Sequence, residues 1–164
     1  GESNTIHPKA DNSSVFGAYN NMYSSNSFVT GHTNSVKGYN SGVMGELCST
    51  IGKHSVAMGS NNTAIGLAST TMGLHNTTYN KGEFACGSYN TKAFNGYKGT
   101  TSNDGIEQYF SVGLGSKGSP NNLFSIGTNS NNTYMQLYVK GSPQVFEPSL
   151  KGNILVWTKI KGST

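Results

Sequence analysis

The sequence predicts an all-β protein whose first half is a parallel β-roll with coils of 14 residues. Glycine recurs every seven residues from position 17 to position 87, and only Ser24 and Asn80 interrupt this repeat position. The residues two positions before the repeat position are small or β-branched. The residues on either side of these differ in polarity between alternate heptads. Stacked β-coils explain such a register because each coil repeats the previous one. Two heptads, each with one short strand, therefore make one coil.

The column two positions before the repeat position is predicted to fill the interior of the roll. A narrow interior admits only small side chains, and β-branched residues suit a pleated strand. The column comprises Val15, Val29, Val36, Val43, Thr50, Ala57, Ala64, Thr71, Thr78 and Ala85.

The residues flanking that column are predicted to point outward, because side chains alternate along a strand. On the first strand of each coil this outer face is largely apolar and includes Phe16, Phe28, Met44, Val56, Met58, Met72, Phe84 and Cys86. Burying ten such side chains is worth on the order of 20 kcal/mol before ordering costs. We therefore expect a homo-oligomer with this face on its symmetry axis, the alternative being a covering segment from residues 94–164.

The second strand of each coil is predicted to present a wetter face, with a Ser/Thr ladder (Ser35, Ser49, Thr63 and Thr77) beside a mixed column. Glycine is expected where the chain leaves a strand and turns, often with positive φ, and Asn80 is expected to adopt the same conformation. Polar residues three positions after many glycines are predicted to bond turn backbone or to stack as ladders. They are Asn20, Asn34, Ser55, Asn62, Ser69, Asn76 and Asn90.

Three segments are predicted along the chain. Residues 1–13 form an N-terminal extension, residues 14–93 form the roll, and residues 94–164 form a second β-module that caps it. The second module contains strand-like runs at 109–112, 123–126 and 137–140, which place Phe110, Phe124 and Tyr138 in one column.

Residues 55–66 read Ser-Val-Ala-Met-Gly-Ser-Asn-Asn-Thr-Ala-Ile-Gly, and degenerate copies of this motif cover residues 14–93. The motif resembles the head repeats of YadA-like trimeric autotransporter adhesins. That resemblance implies a left-handed parallel β-roll, three chains around one axis, and adhesion to host surfaces. Residues 109–115 (Tyr-Phe-Ser-Val-Gly-Leu-Gly) and 123–129 (Leu-Phe-Ser-Ile-Gly-Thr-Asn) are similar to segments in tail-fibre-like proteins of phages and prophages of gut bacteria. Neither resemblance supplies a ligand-contact motif.

The composition argues against several classes of function. The formal net charge is +4, but Arg is absent and Lys is scattered, so we expect no nucleic-acid binding. No apolar run of about 18 residues occurs, so we expect no membrane insertion by this segment. The polar start, residues 1–11, has no signal-peptide pattern and is interpreted as part of a mature or longer chain. Cys48 and Cys86 lie between two and three coils apart, too far for a disulfide.

Catalytic, metal and cofactor chemistry is not expected. Asp104 and Glu107 form the one candidate carboxylate pair, and they are expected to be solvated loop charges. His54 and His75 are one and a half coils apart, so they fall on opposite sides of the roll. They are therefore not expected to share a metal ion within one chain.

Four tyrosines in or near turns, Tyr19, Tyr39, Tyr89 and Tyr97, are candidates for glycan contact. Aromatic planes beside amide hydrogen-bonding groups suit the faces of sugars, and several copies acting together strengthen weak contacts. The alternative is that these rings pack over the edges of the coils.

Together these features predict a homotrimeric fibre head that attaches a phage or a bacterium to a cell surface, with carbohydrate among the candidate receptors. Its location would be extracellular, in a virion tail fibre or on a bacterial surface. One alternative is a purely structural fibre spacer. Another is a polysaccharide-degrading tail spike, which would need the Asp104 and Glu107 region as its carboxylate cluster. An ice-binding solenoid is disfavoured, because the outward Ser/Thr positions are not flanked by regular Thr.

Overall fold

The computed structural model describes residues 1–90, 107–128, 133–139, 142–151 and 154–159, and every regular element in these ranges is a β-strand. Twelve strands alternate between two and five residues in length: β1 (Thr5–Ile6), β2 (Ser14–Ala18), β3 (Asn21–Met22), β4 (Phe28–His32), β5 (Ser35–Val36), β6 (Gly42–Glu46), β7 (Ser49–Thr50), β8 (Val56–Ser60), β9 (Thr63–Ala64), β10 (Thr70–Leu74), β11 (Thr77–Thr78) and β12 (Phe84–Ser88). Five further strands follow: β13 (Glu107–Leu114), β14 (Asn122–Thr128), β15 (Thr133–Val139), β16 (Ser142–Lys151) and β17 (Ile154–Lys159).

Two parallel sheets enclose the interior of a β-solenoid. The two-residue strands pair in the order β1-β3-β5-β7-β9-β11 and form the short-strand sheet. The five-residue strands from β2 to β12 pair in the same way and begin the long-strand sheet. The register advances by 14 residues per coil, so that Val29 lies opposite Val43 and Val36 opposite Thr50. The all-β class and the 14-residue parallel coil are thus confirmed.

The predicted interior column is buried between the two sheets. Every member from Val29 to Ala85 has no exposed surface, and Val15 in the first five-residue strand is half-buried. The expectation that only small side chains enter is wrong at Met22, which occupies the same column in β3 and is fully buried. Met is unbranched and fills irregular gaps, which suits a coil near the end of the stack.

An asparagine ladder closes the turns that follow the five-residue strands, with Cys48 in place of asparagine after β6. Asn34 donates from Nδ2 to the carbonyl oxygens of Thr30 (3.3 Å) and Gly45 (2.7 Å), and its Oδ1 accepts the backbone N–H of Cys48 at 2.9 Å. The same pattern recurs at Asn20, Asn62 and Asn76. The predicted polar ladder is confirmed, and it supplies partners for turn backbone that is buried from water.

A serine ladder, Ser27, Ser41, Ser55 and Ser69, closes the opposite turn after the two-residue strands β3, β5, β7 and β9. The Ser27 hydroxyl accepts the Ser41 backbone N–H at 3.1 Å, and the Ser41 hydroxyl accepts the Ser55 N–H at 3.2 Å. Ser41 also donates to the carbonyl oxygen of Gly52 at 3.1 Å. Each coil is therefore tied to the next at both turns by side-chain hydrogen bonds as well as by the two sheets.

Close approach of successive coils applies to every repeat glycine, and the expected positive φ (93–138°) adds to it at six of the nine, Gly17, Gly31, Gly45, Gly59, Gly73 and Gly87. A Cβ atom at Gly38, Gly52 or Gly66 would strike a carbonyl oxygen of the next coil, although none of these three has a positive φ. The expectation for Asn80 is wrong, because the left-handed conformation falls two residues after the repeat position, on Gly82 (φ 69°) in that turn. The same column of left-handed residues contains Tyr19, Asn26, Thr33, Asn40, Leu47, His54, Asn61, Ala68, His75 and Tyr89.

The second module extends the long-strand sheet to 11 strands. β13 is parallel to β12, and each strand from β14 to β17 is antiparallel to the one before it. The predicted column of Phe110, Phe124 and Tyr138 is wrong, because Ile126 lies opposite Phe110 and Leu137 lies opposite Phe124. In the second module, the 14-residue spacing corresponds to one strand plus its hairpin turn rather than to one coil of the solenoid.

Candidate functional site

The outward side of the long-strand sheet, called here the long face, carries the residues predicted for a trimer interface. Phe16, Phe28 and Met44 are 66%, 43% and 39% exposed. The other predicted members are half-buried: Val56, Met58, Met72, Phe84 and Cys86. The structure thus brings all eight together on one side of one sheet.

The long face continues into the second module without interruption. The Phe84 and Phe110 rings stack with centroids 5.7 Å apart and planes 7° apart, and Phe110 meets Phe124 edge-on at 5.9 Å. Strand register places further apolar residues on the same side, ending at the exposed Leu155 (61%) and Trp157 (38%). Between these ends the register adds Val112, Ile126, Met135, Leu137 and Phe146.

Charge is absent from the two central columns of the long face within the solenoid. These columns are Ser14, Phe28, Gly42, Val56, Thr70, Phe84 and Phe16, Thr30, Met44, Met58, Met72, Cys86. The ring of Phe28 lies over Gly42, where a Cβ atom would strike it. Uncharged, largely apolar surfaces of this length are uncommon on monomeric proteins.

The outward side of the short-strand sheet, called here the short face, has different chemistry. One column presents the hydroxyls of Ser35, Ser49, Thr63 and Thr77, which lie in register on adjacent strands. The flanking column is exposed and mixed in character, with Tyr23, Lys37, Ile51, Ile65 and Tyr79. The predicted Ser/Thr ladder beside a mixed column is confirmed.

The structure does not bring the candidate glycan-binding tyrosines together. Tyr19 and Tyr89 occupy the same turn column but are 70 residues, or five coils, apart. At about 4.8 Å per stacked strand this separation is about 24 Å. Tyr39 lies in the opposite turn, and Tyr97 lies outside the described residues.

Each described tyrosine also contacts a neighbouring side chain. Tyr89 stacks on His75 with ring centroids 4.5 Å apart, and Tyr19 meets His32 edge-on at 5.3 Å. The Tyr39 hydroxyl accepts a hydrogen bond from Asn26 Nδ2 at 2.6 Å. The rings therefore pack along the coil edges while Tyr19 and Tyr39 keep nearly half of their surface exposed, at 47% and 43%.

The titratable side chains singled out in the sequence lie apart from one another where the structure describes them. His54 and His75 lie in opposite turns, as predicted, and no three His, Cys, Asp or Glu residues among those described are grouped to hold a metal ion. Asp104 lies outside the described residues. Glu107 accepts a hydrogen bond from the Tyr109 hydroxyl at 2.7 Å, and this bond raises the pKa of Tyr109.

The two cysteines are free, as their spacing predicts. Cys48 is buried at an asparagine-ladder position, where its Sγ lies 3.3 Å from the Gly59 carbonyl oxygen and 3.4 Å from that of Glu46. Burial raises the pKa of the Cys48 thiol. Cys86 is half-buried on the long face.

A buried polar junction, which the sequence did not predict, joins the solenoid to the second module. Glu83 occupies a serine-ladder position and is 1% exposed. Its carboxylate accepts the backbone N–H groups of Tyr79 (2.7 Å) and Asn80 (2.9 Å) and the Nε2 of Gln108 (2.9 Å). Gln108 accepts in turn from Asn122 Nδ2 at 3.0 Å. The sequence did contain one signal for this junction: in the same coil, Asn80 replaces the repeat glycine and Glu83 replaces the ladder serine.

Comparisons of the chain with protein-family models, with curated proteins and with solved structures found no match. In the described ranges, no helix has the length and apolar character needed to cross a membrane.

Proposed function

We propose that this chain is the head of a homotrimeric extracellular fibre, a left-handed parallel β-roll that attaches a phage or a bacterium to a cell surface. The proposal rests on the long face, which is proposed to pack against two further copies of the chain. In the assembled head, the three long faces pack against one another along the fibre axis, and the short faces and coil edges remain in contact with solvent.

Burial of apolar surface supports the assembly. The long face exposes aromatic and aliphatic side chains from Phe16 to Trp157, and its central columns in the solenoid contain no charge. Each Å² of apolar surface removed from water contributes about 25 cal/mol, so a face spanning 11 strands can stabilise an obligate interface.

The regularity of the coils supports rotational symmetry about an axis parallel to the stack. Each coil presents the same two positions on the long face, so each coil of one copy can meet the equivalent coil of the others. Cyclic symmetry also covers every long face, which prevents open-ended association. Three copies agree with the resemblance to trimeric adhesin heads.

Solution mass tests the assembly. Sedimentation at decreasing concentration is expected to give three times the 17.3 kDa chain mass. Met58→Lys places one ammonium group per copy at the centre of the interface and is expected to dissociate the trimer. Ile51→Lys makes the matched change on the short face and is expected to leave the trimer intact. A wild-type chain that is monomeric and soluble contradicts the proposal.

Attachment is proposed to involve the candidate tyrosines Tyr19, Tyr39, Tyr89 and Tyr97, with affinity raised by the three copies. Binding of the labelled trimer to intact cells and to a glycan array tests this role. Combined replacement of the four tyrosines by Ala is expected to reduce both signals while the trimer mass is unchanged. Undiminished binding excludes the tyrosines, and a trimer that binds no cell surface is a spacer. Release of short oligosaccharides from a bound polymer indicates a tail spike instead.

A further inference from the structure

We infer that the short face is a binding surface for an acidic polysaccharide that lies along the stack of coils. This inference names a class of ligand for the proposed attachment function and rests on that function. It does not depend on the trimer, because each chain carries a complete short face.

Unused hydroxyl groups provide the first argument. Ser35, Ser49, Thr63 and Thr77 lie in register on four adjacent strands, and none of their hydroxyls has a hydrogen-bond partner within the described part of the chain. Two of the three interior hydroxyls behave differently, since those of Thr71 and Thr78 are 2.8 Å apart and bond each other, whereas that of Thr50 has no partner among the described residues. The outward ladder therefore offers a donor and acceptors at every strand, at intervals of about 4.8 Å.

The flanking column provides apolar contact at the same intervals. Ile51 and Ile65 are 50% and 37% exposed, and Tyr23 and Tyr79 extend the column at either side with 44% and 39%. A pyranose ring has a C–H face that packs against aromatic and aliphatic side chains and a rim of hydroxyls that needs hydrogen-bonding partners. One sugar of an extended chain is similar in length to the strand spacing, so successive sugars can meet successive coils in the same way.

The lysines on and beside the short face favour an acidic polysaccharide. Lys37 lies in the flanking column, and Lys53 and Lys81 lie in the turns that follow the short strands, all three exposed. Between Lys37 and Lys81 the sequence has one carboxylate, Glu46, which ends β6 in the long-strand sheet. Glu83, two residues beyond Lys81, is buried and accepts backbone N–H groups. The short face and the turns beside it are therefore positive over this stretch, which favours a ligand with regularly spaced carboxylates.

The same charges are too sparse for a nucleic acid. Three lysines are distributed over four coils, whereas a nucleic-acid backbone carries a charge every few Å, and the chain contains no Arg for bidentate phosphate contacts. A polysaccharide with one carboxylate per sugar, or one per repeating unit, matches this density and the hydroxyl ladder together.

Calorimetric titration of the intact protein with oligogalacturonate and with hyaluronan oligosaccharides tests the inference. Methyl-esterified oligogalacturonate, which has the same sugars without the charges, is the matched ligand. We expect the two acidic chains to bind more tightly than the ester, with an affinity that falls as salt is added. Equal binding of the acidic and esterified chains, or no binding of either acidic chain, overturns the inference.

Two double variants test the face itself. Ser49→Ala with Thr63→Val removes two hydroxyls, and Lys37→Gln with Lys53→Gln removes two charges. Each lost hydrogen bond is expected to weaken binding about three- to tenfold. Lys117→Gln in the β13–β14 hairpin and Thr70→Val on the long face are controls. Each is expected to change affinity less than twofold, which is less than the effect of losing one hydrogen bond. Thermal unfolding of each variant establishes that it is folded.

The outcomes separate this inference from the proposed function. Affinity that is unchanged in both short-face variants, or tighter binding of duplex DNA than of either acidic chain, overturns the inference. If the trimer still attaches to cells in that case, the proposed function stands without it. If acidic chains bind the short face but the trimer attaches to no cell, the inference stands and the attachment function is contradicted.

Discussion

Asn34 Oδ1 accepts the backbone N–H of Cys48 at 2.9 Å, and at Cys48 the asparagine ladder loses its amide. In the next coil Asn62 donates at 2.6 and 2.7 Å to the carbonyl oxygens of Met58 and Gly73. The Cys48 thiol donates at 3.3 Å to the carbonyl oxygen of Gly59, which is equivalent to Gly73, but its other carbonyl partner, at 3.4 Å, is Glu46 rather than Met44. A thiol is a weak donor and a weak acceptor, so this coil is the least well bonded of the ladder.

Cys48→Asn is therefore expected to stabilise the protein. The new amide can donate to turn carbonyls and accept the Asn62 backbone N–H, and each such bond contributes about 1 kcal/mol. The midpoint of urea unfolding measures the change. Asn62→Cys is the reciprocal control and is expected to lower the midpoint. A lower midpoint for Cys48→Asn means that the site, where Cys48 is 1% exposed, lacks room for an amide.

Thr50→Val is expected to raise stability by about 1 kcal/mol, because it removes a buried hydroxyl that has no partner and keeps the shape of the side chain. Thr78→Val makes the same change in the same interior column. There the hydroxyl bonds those of Thr71 (2.8 Å) and Ser69 (2.9 Å), so its loss is expected to destabilise. Thermal unfolding compares the pair. Equal effects for the two variants contradict the assignment of Thr50 as the unpaired member.

Gly52→Ala and Gly82→Ala distinguish crowding from backbone conformation. A Cβ atom at Gly52 meets backbone of the next coil at Ile65 and Gly66, so the coils must separate, at a cost of about 3 kcal/mol or more. Gly82 has open space around it but a φ of 69°, and Ala there costs about 1–2 kcal/mol. Circular dichroism and urea unfolding provide the comparison. A milder effect at Gly52 than at Gly82 means that coil contact does not determine the glycine repeat.

The repeat made the solenoid predictable from the sequence. A shift of one heptad by a single residue would turn Val29 or Val43 outward, because side chains alternate along a strand. The glycine spacing and the interior column therefore agree on a single strand register. The outward direction of the long face followed from the same alternation. The role of the glycines followed in part: positive φ was expected and occurs at six of the nine repeat glycines. The contact between coils did not follow, because a sequence shows which position lacks a side chain but not which neighbouring backbone approaches it.

The second module and the junction were less predictable because non-repeating contacts define them. Fourteen-residue spacing at Phe110 and Phe124 is compatible with a parallel coil and with an antiparallel hairpin, and only the second occurs. Glu83 and Gln108 lie 25 residues apart with no motif between them, so their hydrogen bond depends on the path of the intervening chain. The candidate tyrosines are likewise spread by the stacking of the coils that separates Tyr19 from Tyr89.

Glu83→Gln is expected to destabilise the junction by about 1–3 kcal/mol, because one carboxylate oxygen becomes a donor. Oε2 accepts the N–H groups of Tyr79 and Asn80, and Oε1 accepts from Gln108, so either amide orientation sets a donor against a donor. Glu46→Gln on the surface is the control and is expected to have little effect. Hydrogen exchange should show faster exchange at Tyr79 and Asn80 in Glu83→Gln alone. Unchanged protection there contradicts a structural role for the carboxylate.

Burial of the Cys48 thiol predicts a loss of stability at alkaline pH. Burial raises the pKa of Cys48, so between the ordinary thiol value of about 8.5 and the folded value, the folded chain keeps a proton that the unfolded chain releases. Stability is therefore expected to be complete below about pH 8.5. It should fall as pH rises through the folded value, whereas Cys48→Asn, which lacks the thiol, is expected to lose less over the same range.

Alkylation rates then report on the long face. Iodoacetamide is expected to leave Cys48 unmodified in any folded form, because the thiol is buried and stays protonated at neutral pH. Cys86 is half-buried in the single chain and faces the proposed interface, so its modification should be slow in the trimer and fast in Met58→Lys, where the trimer is expected to dissociate. Mass spectrometry of tryptic peptides separates the two sites. Rapid modification of Cys86 in a wild-type sample that sediments as a trimer would show that the copies meet through another surface.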